Sequence, residues 1–293
     1  MKTLNRNRLK MLKLLALLSQ IRWYNISLLL LGQYLTACFV FAPVDLRWNT
    51  LLDINTHLIA WSGAFILAFG FLINSFYDYA VDAINRPKQS AFERLVSKRT
   101  SLNTAIFLLV LGLLGAWLVG FKALLFFGLF AVGLWYHSHR LKNLPIVSHT
   151  SAAILALTPF FGMSVYHNFS SIHTFAYGAL LGLTLFSREM LKDLLMLKGD
   201  VIIGRKTVAS EFGEDKTRFA LMASALVEWI PAFFTRGLFS PYAEIGIFII
   251  LVLLSTATLI ALKTAQLRGL RWAHLIYKII LVIGVLTLPF LNH

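Results

Sequence analysis

An all-α, polytopic membrane fold of about nine transmembrane helices is the architecture this sequence predicts. Three observations carry that expectation. Of its 293 residues 58% are hydrophobic, with a mean hydropathy of +0.73. The apolar residues gather into runs that reach across a bilayer at about 20 residues per span. The formal net charge is +14, and the cations fall in the gaps between those runs, as in loops facing anionic lipid. This distribution excludes a soluble domain with a large core and argues against nucleic acid as a partner.

The chain opens on a basic segment, Lys2, Arg6, Arg8, Lys10 and Lys13, around the short apolar stretch 14–18. It has no small-x-small cleavage signature, so 1–22 reads as a retained amphipathic helix on the cytoplasmic surface. The apolar runs follow at 24–43, 57–77, 103–121, 122–139, 145–165, 174–190, 218–235, 243–262 and 273–290. Only Gly120-Phe121-Lys122 separates the third from the fourth, which predicts a tight turn. The single cysteine, Cys38, lies inside an apolar run and has no intrachain partner for a disulfide. No soluble domain or low-complexity tract interrupts the pattern, so 1–293 reads as one transmembrane domain.

Loop charges set the orientation. One side collects Arg86, Lys88, Arg94, Lys98, Arg99, Arg140, Lys142, a cluster from Arg188 to Arg218, and Lys263, Arg268 and Arg271. The other side holds Arg47, Lys122 and Arg236. The positive-inside rule then puts the N-terminus in the cytoplasm and the C-terminus opposite. The longest polar stretches, 78–102 and 188–217, follow the second and sixth spans. Both therefore face the cytoplasm, and their spacing hints at a tandem four-helix repeat.

The first polar stretch begins Asn74-Ser-Phe-Tyr-Asp78-Tyr-Ala-Val-Asp82-Ala-Ile-Asn85-Arg86-Pro87. At helical spacing Asn74, Asp78 and Asp82 share one face, one turn apart. An amide oxygen and two carboxylates form an oxygen-rich set suited to Mg²⁺. Carboxylates at the end of a membrane helix are costly and point to function. In the second stretch Glu189, Asp193, Met196 and Asp200 form another helical stripe, flanked by Arg188, Lys192, Lys198, Arg205 and Lys206. Acids mixed with bases suit a metal–diphosphate complex, in which acids hold the metal and bases the remaining phosphate oxygens. Gly199 and Gly204 let the chain turn close to a ligand.

These motifs resemble the UbiA-type intramembrane prenyltransferases over nearly the whole chain. The resemblance rests on Asn74-x-x-x-Asp78-x-x-x-Asp82 with Ile-Asn-Arg-Pro, and on Arg-Glu-x-x-Lys-Asp with Gly-Asp and Gly-Arg-Lys-Thr. The wording is most similar to the geranylgeranylglycerol-phosphate geranylgeranyltransferase-like group. Arg22-Trp-Tyr-Asn25 resembles the family's entry motif, and Tyr136-x-x-x-Arg140-x-Lys142 its segment after span four. Two positions depart from the pattern. Ser75 stands where Asp is common, and Met196 replaces the first Asp of the second motif.

The resemblance implies helices around a central cavity open to the cytoplasmic side, in a bacterial or archaeal plasma membrane. It implies Mg²⁺-dependent transfer of a polyprenyl group from an allylic prenyl diphosphate to a lipophilic or aromatic acceptor, in lipid-ether or quinone-precursor biosynthesis. Two Mg²⁺ would bridge the diphosphate. Asn74, Asp78 and Asp82 would hold one, and Asp193 and Asp200 the other, with Met196 weakening the second site. Asp78, Asp82, Asp193 and Asp200 are the catalytic candidates. Arg22, Asn25, Arg86, Tyr136, Lys142, Lys192, Arg205 and Lys206 are the substrate-binding candidates. Phe71, Phe76, Tyr77, Trp135 and Tyr136 are candidates to face an allylic cation.

Other readings compete. A terpene cyclase of the same fold consumes the diphosphate without an acceptor, and a non-catalytic family member with a binding role would tolerate Met196 and Ser75. A transporter is disfavoured because the acids lie at span ends. Glu228 and Lys278 sit inside apolar runs, where a functional reading stands level with an ion pair or a snorkelling side chain, so both are left out of the predicted site. His137 and His139 read as interfacial.

Overall fold

The computed structural model describes residues 6–169, 171–264 and 266–291; helices joined by short turns make up its regular structure, with no strand among them. The expected basic residue Lys2 lies outside the described residues. The helices are α1 Arg6–Ile21, α2 Trp23–Leu35, α3 Arg47–Leu52, α4 Ile54–Tyr77, α5 Tyr79–Asn85, α6 Pro87–Glu93, α7 Lys98–Val119 and α8 Phe121–His139. They continue as α9 Val147–Tyr166, α10 Ile172–Ile203, α11 Val208–Phe212, α12 Glu214–Val227, α13 Trp229–Phe234, α14 Pro241–Lys263 and α15 Leu267–Thr287. A π-helical turn, Thr36–Phe41, extends α2.

Each predicted apolar run coincides with helix. Among the described residues, seven stretches are long and apolar enough to cross a membrane: α2 with its π turn, α4, α7, α8, α12–α13, α14 and α15. α9 and α10 fall short of that measure. Ser148, His149, Thr150 and Ser151 open α9, and α10 carries Arg188, Glu189, Lys192 and Asp193 past its apolar half. The same polarity turns both helices toward the cavity described below.

Local chemistry sets the boundaries. Asp53 caps α4, accepting the Asn55 and Thr56 N–H groups at 3.2 and 3.0 Å. Ser97 caps α7 through the Thr100 N–H, and Ser240 precedes Pro241 at the start of α14. The expected tight turn between α7 and α8 is Gly120 alone. Both predicted polar stretches hold helix. α5 and α6 occupy much of the first, and α10 runs unbroken through the start of the second as far as Ile203. Gly204 then ends α10 with φ 73°, a conformation that glycine adopts without strain.

Two apolar cores build the bundle. One gathers Ile59, Ile66, Phe127, Phe130 and Met163 from α4, α8 and α9. The other gathers Tyr177, Leu191, Leu221, Ile250 and Ile280 from α10, α12, α14 and α15. Burying side chains of this size stabilises the fold by about 1.5–3 kcal/mol each when the exterior reference is water. A cavity of about 570 Å³ lies between the cores and is walled by α2, α4, α5, α8, α9, α10 and α15.

Candidate active site

α4 ends at Tyr77 and α5 starts at Tyr79, yet the acid stripe survives the break. The Asp78 N–H bonds to the Asn74 carbonyl at 2.9 Å, and the Asp82 N–H to the Asp78 carbonyl at 2.8 Å. The i, i+4, i+8 register therefore passes through the junction, and all three side chains line the cavity. Asp78 is the hub. Its Oδ2 accepts from Asn74 Nδ2 at 2.8 Å. Its Oδ1 meets Lys142 Nζ at 2.6 Å and Arg205 Nη1 at 3.3 Å. Lys142 also donates to Asn74 Oδ1 at 3.2 Å. Burial alone would raise the Asp78 carboxyl, but Lys142 and Arg205 hold it below the usual carboxylate value. Asp82 goes the other way: burial, then the neighbouring Asp78 charge, push it up.

α10 supplies the opposite bank. Glu189 pairs with Arg188 Nη1 at 2.8 Å and with Lys192. Asp193 Oδ2 lies 3.0 Å from both His149 Nε2 and the Val208 backbone N–H. Asp200 is 1% exposed, and among the described residues its Oδ1 has no hydrogen-bond partner, with Arg205 Nη1 3.9 Å away. Burial pushes the Asp200 carboxyl up to about 6. Met196 Sδ faces Arg86 Nη2 at 4.0 Å. Asn85 ties the banks together: its Nδ2 donates to the Met196 carbonyl and its Oδ1 accepts the Gly199 N–H, each at 3.0 Å. A Cβ on residue 199 would lie 2.3 Å from Asn85 Nδ2, so glycine is required for this approach.

Most of the predicted site converges here. Arg22, Asn25, Asn74, Asp78, Asp82, Arg86, Lys142, Lys192, Asp193, Asp200 and Arg205 all line the cavity. Arg22 holds φ 56° between α1 and α2, an uncommon conformation for a residue with a Cβ, and its guanidinium lies 5.0 Å over the Phe71 ring. Tyr136 and Lys206 do not line the cavity; both are exposed. Helical phase turns Tyr136 outward, while its neighbours Leu134, His137 and Ser138 face in. Of the five aromatic candidates only Phe71 lines the cavity; Phe76, Tyr77, Trp135 and Tyr136 are exposed. Tyr24 and Phe160 provide the other aromatic faces.

Sequence reasoning missed His149, while Arg188, named there as a flanking cation, lines the cavity. His149 is 2% exposed, and its significance depends on α9 packing against Asp193 of α10. His137, read as interfacial, lines the cavity and hydrogen-bonds Ser151 at 2.9 Å. Lys278 lines it too, 5.4 Å above the Tyr24 ring. Glu228 lies elsewhere, fully buried, accepting from Thr184 Oγ1 and Ser187 Oγ at 2.8 and 2.6 Å. Ser75 lines a smaller cavity of about 260 Å³ beside α7, so its departure from the motif costs the main cavity no carboxylate.

The donor set fits a divalent cation in one manner. Among the described residues no group of three or more His, Cys, Asp or Glu side chains forms a ready metal cage. The uncommitted Asp200 Oδ1 and the hard oxygens of Asn74, Asp78 and Asp82 suit Mg²⁺ when a ligand contributes further oxygens.

A polytopic helical membrane protein with a buried, charged reaction chamber is the class that fold and site define. The chain belongs to the UbiA prenyltransferase family, whose family model matches residues 30–279. Membership bears out the expected prenyltransferase class. The digeranylgeranylglyceryl phosphate synthase of Pyrococcus furiosus is 28% identical over 80% of this chain and 87% of that protein. The enzyme of the same name from Thermococcus gammatolerans is 29% identical over 55% of this chain and 60% of that protein. The solved UbiA homologue of Archaeoglobus fulgidus, bound to GPP and Mg²⁺, shares the fold with a TM-score of 0.61 and 19% identity. That alignment covers 94% of this chain and 99% of the homologue.

Proposed function

We propose that this chain transfers a geranylgeranyl-type group from an allylic prenyl diphosphate to the hydroxyl of a glycerol-phosphate lipid. The observation that carries this reading is the cavity's division. Acids and cations crowd one end, around Asp78, while Leu, Val and Phe side chains of α2, α4, α9, α10 and α15 line the rest. An anionic headgroup with a long apolar tail matches both parts. The names of the two relatives support the lipid-ether product over a quinone precursor. The GPP and Mg²⁺ bound to the A. fulgidus homologue support the donor class.

In this reading Lys142, Lys192, Arg205 and Arg86 meet the diphosphate oxygens, which draws Lys142 and Arg205 away from Asp78. Mg²⁺, held by Asn74, Asp78, Asp82 and Asp200 with the diphosphate, would supply charge to stabilise the leaving group. Cleavage of the allylic C–O bond sends its electron pair to the diphosphate. Phe71, Tyr24 and Phe160 offer faces to the allylic cation, and the apolar walls keep water from quenching it. The acceptor hydroxyl then forms the new C–O bond and loses its proton.

The polar faces of α9 and α10 support their crossing the membrane beside the seven apolar stretches, giving nine spans in one domain. Loop charge supports a cavity open to the cytoplasm. The test is product analysis by mass spectrometry with geranylgeranyl diphosphate and, in turn, geranylgeranylglyceryl phosphate, a naphthoate and a benzoate. An ether product from the first alone supports the proposal. A prenylated ring moves the chain to quinone-precursor chemistry, and a hydrocarbon product without acceptor makes it a cyclase.

A further inference from the structure

Lys278 and Arg188 line the cavity, and neither takes part in the diphosphate departure outlined above. Lys278 sits near the middle of the 21-residue α15 and lines the cavity instead of snorkelling along the lipid face. Its ammonium lies 5.4 Å above the Tyr24 ring, which places it beside the start of α2. Among the described residues it meets no carboxylate at ion-pair distance. Arg188 shares one acid, Glu189, with Lys192. The Arg188 Nε is buried and has no hydrogen-bond partner among the described residues.

These groups converge. Arg188, Lys192, Lys278 and Glu189 all lie within electrostatic reach of His274, one turn before Lys278 on α15. Three cations against that one acid leave a surplus of two positive charges. Charge held in a buried chamber without a counterion is costly, so the surplus calls for an anionic ligand. A phosphate monoester carries about −1.5 to −2 at neutral pH and balances it.

Two features separate this anion from the diphosphate of the donor. The diphosphate end has its own cations, Lys142 and Arg205 at Asp78, and Arg205 also lies beside Asp200. Arg188 and Asp200 sit far apart on the unbroken α10, about 18 Å along its axis at 1.5 Å per residue. That gap leaves room between two anions for the allylic carbon and the glycerol hydroxyl. Beyond Lys278 the same face of α15 turns apolar: Leu281, Val282 and Val285 line the cavity at i+3, i+4 and i+7. A phosphate on Lys278 thus has an apolar trough beside it for its lipid chain.

We propose that Arg188 and Lys278 hold the phosphate of the acceptor lipid, in a second anion site separate from the diphosphate site at Lys142 and Arg205. The proposal rests on the glycerol-phosphate reading above. It makes the α10–α15 wall the part of the chain that selects a phosphate-bearing acceptor over a neutral one.

The test separates acceptor from donor. Full-length protein in detergent, with Mg²⁺ and saturating geranylgeranyl diphosphate, is assayed for ether formation with geranylgeranylglyceryl phosphate and with geranylgeranylglycerol, its phosphate-free form. Donor binding is read in parallel by equilibrium dialysis of geranylgeranyl thiolodiphosphate, which does not ionise. The natural chain is expected to show a KM about tenfold or more lower for the phosphate lipid than for the neutral one. Lys278→Met and Arg188→Gln should each raise the phosphate lipid's KM about tenfold and leave analogue binding within about twofold of the natural value. Lys278→Arg keeps the charge and should restore it. Equal KM values for the two acceptors on the natural chain overturn the proposal. So does weakening of analogue binding by the same factor as the acceptor KM, which assigns both cations to the diphosphate. Should one variant fail to fold, the other variant and the acceptor comparison decide. Ether formation by the natural chain with no rise in either variant's KM sinks this proposal alone. No ether from either acceptor sinks the glycerol-phosphate reading, and this proposal with it.

Discussion

Gly199 and Asn85 lie face to face: the Gly199 N–H donates to Asn85 Oδ1 at 3.0 Å. With the second bond from Asn85 Nδ2 to the Met196 carbonyl, this contact fastens α5 to α10. Asp82 and Asp200 ride on those two helices, so one asparagine sets the spacing between the two acid banks. Gly199→Ala drives a Cβ into the Asn85 amide, and is expected to cost about 1–3 kcal/mol of stability. Thermal unfolding in detergent measures it. An unchanged midpoint would show that the clasp is not formed.

Asp78→Asn removes the charge that balances Lys142 and Arg205. The buried Lys142 and half-buried Arg205 then face an amide. Turnover is expected to fall by about 10²–10³-fold, as for loss of a main electrostatic element. Lys142→Met should lower it by less, because Arg205 remains beside Asp78. Steady-state rates on the two variants, with donor saturating, check the order.

The acid stripes were legible because helical periodicity survives small breaks. Asn74, Asp78 and Asp82 keep their register across the α4–α5 junction, and Asp193 and Asp200 keep theirs because α10 runs on to Ile203. His149 was not legible, since nothing within α9 signals a partner 44 positions away. Tyr136 was misjudged for a related reason. A motif match names a position but not the helical phase that turns it outward. α9 and α10 show the limit of hydropathy: a helix that lines a polar chamber carries its polar residues inward and reads as too hydrophilic to span.

Proton linkage gives a third expectation. The Asp200 carboxyl is raised to about 6 in the fold, against about 3.9 in an unfolded chain. The folded state therefore binds this proton more tightly. Its stabilising effect is complete below about 4 and lost as pH rises through about 6. Metal-free protein should thus lose thermal stability over that window, and Asp200→Asn should flatten the decline. Equal slopes for both proteins would contradict the assignment.

Glu228 offers a prediction away from the cavity. It accepts from Thr184 and Ser187 of α10 at the junction of α12 and α13. Glu228→Leu removes one partner from each of these hydroxyls, which keep their bonds to the Leu180 carbonyl and to Ser224 Oγ, and is expected to cost about 0.5–1.5 kcal/mol for each hydrogen bond lost. Glu228→Gln keeps a carbonyl acceptor and should cost less. Denaturation midpoints of the two variants compare them directly.

The central claim is that the Asp78 and Asp82 bank drives departure of diphosphate from a prenyl donor. Its most direct test is Mg²⁺-dependent diphosphate release from geranylgeranyl diphosphate, measured with geranylgeranylglyceryl phosphate present and with Asp78→Asn and Asp82→Asn as comparisons. The account predicts release that requires Mg²⁺ and the acceptor, and a drop of about 10²-fold or more in each variant. Release that persists in both variants at the natural rate would contradict it.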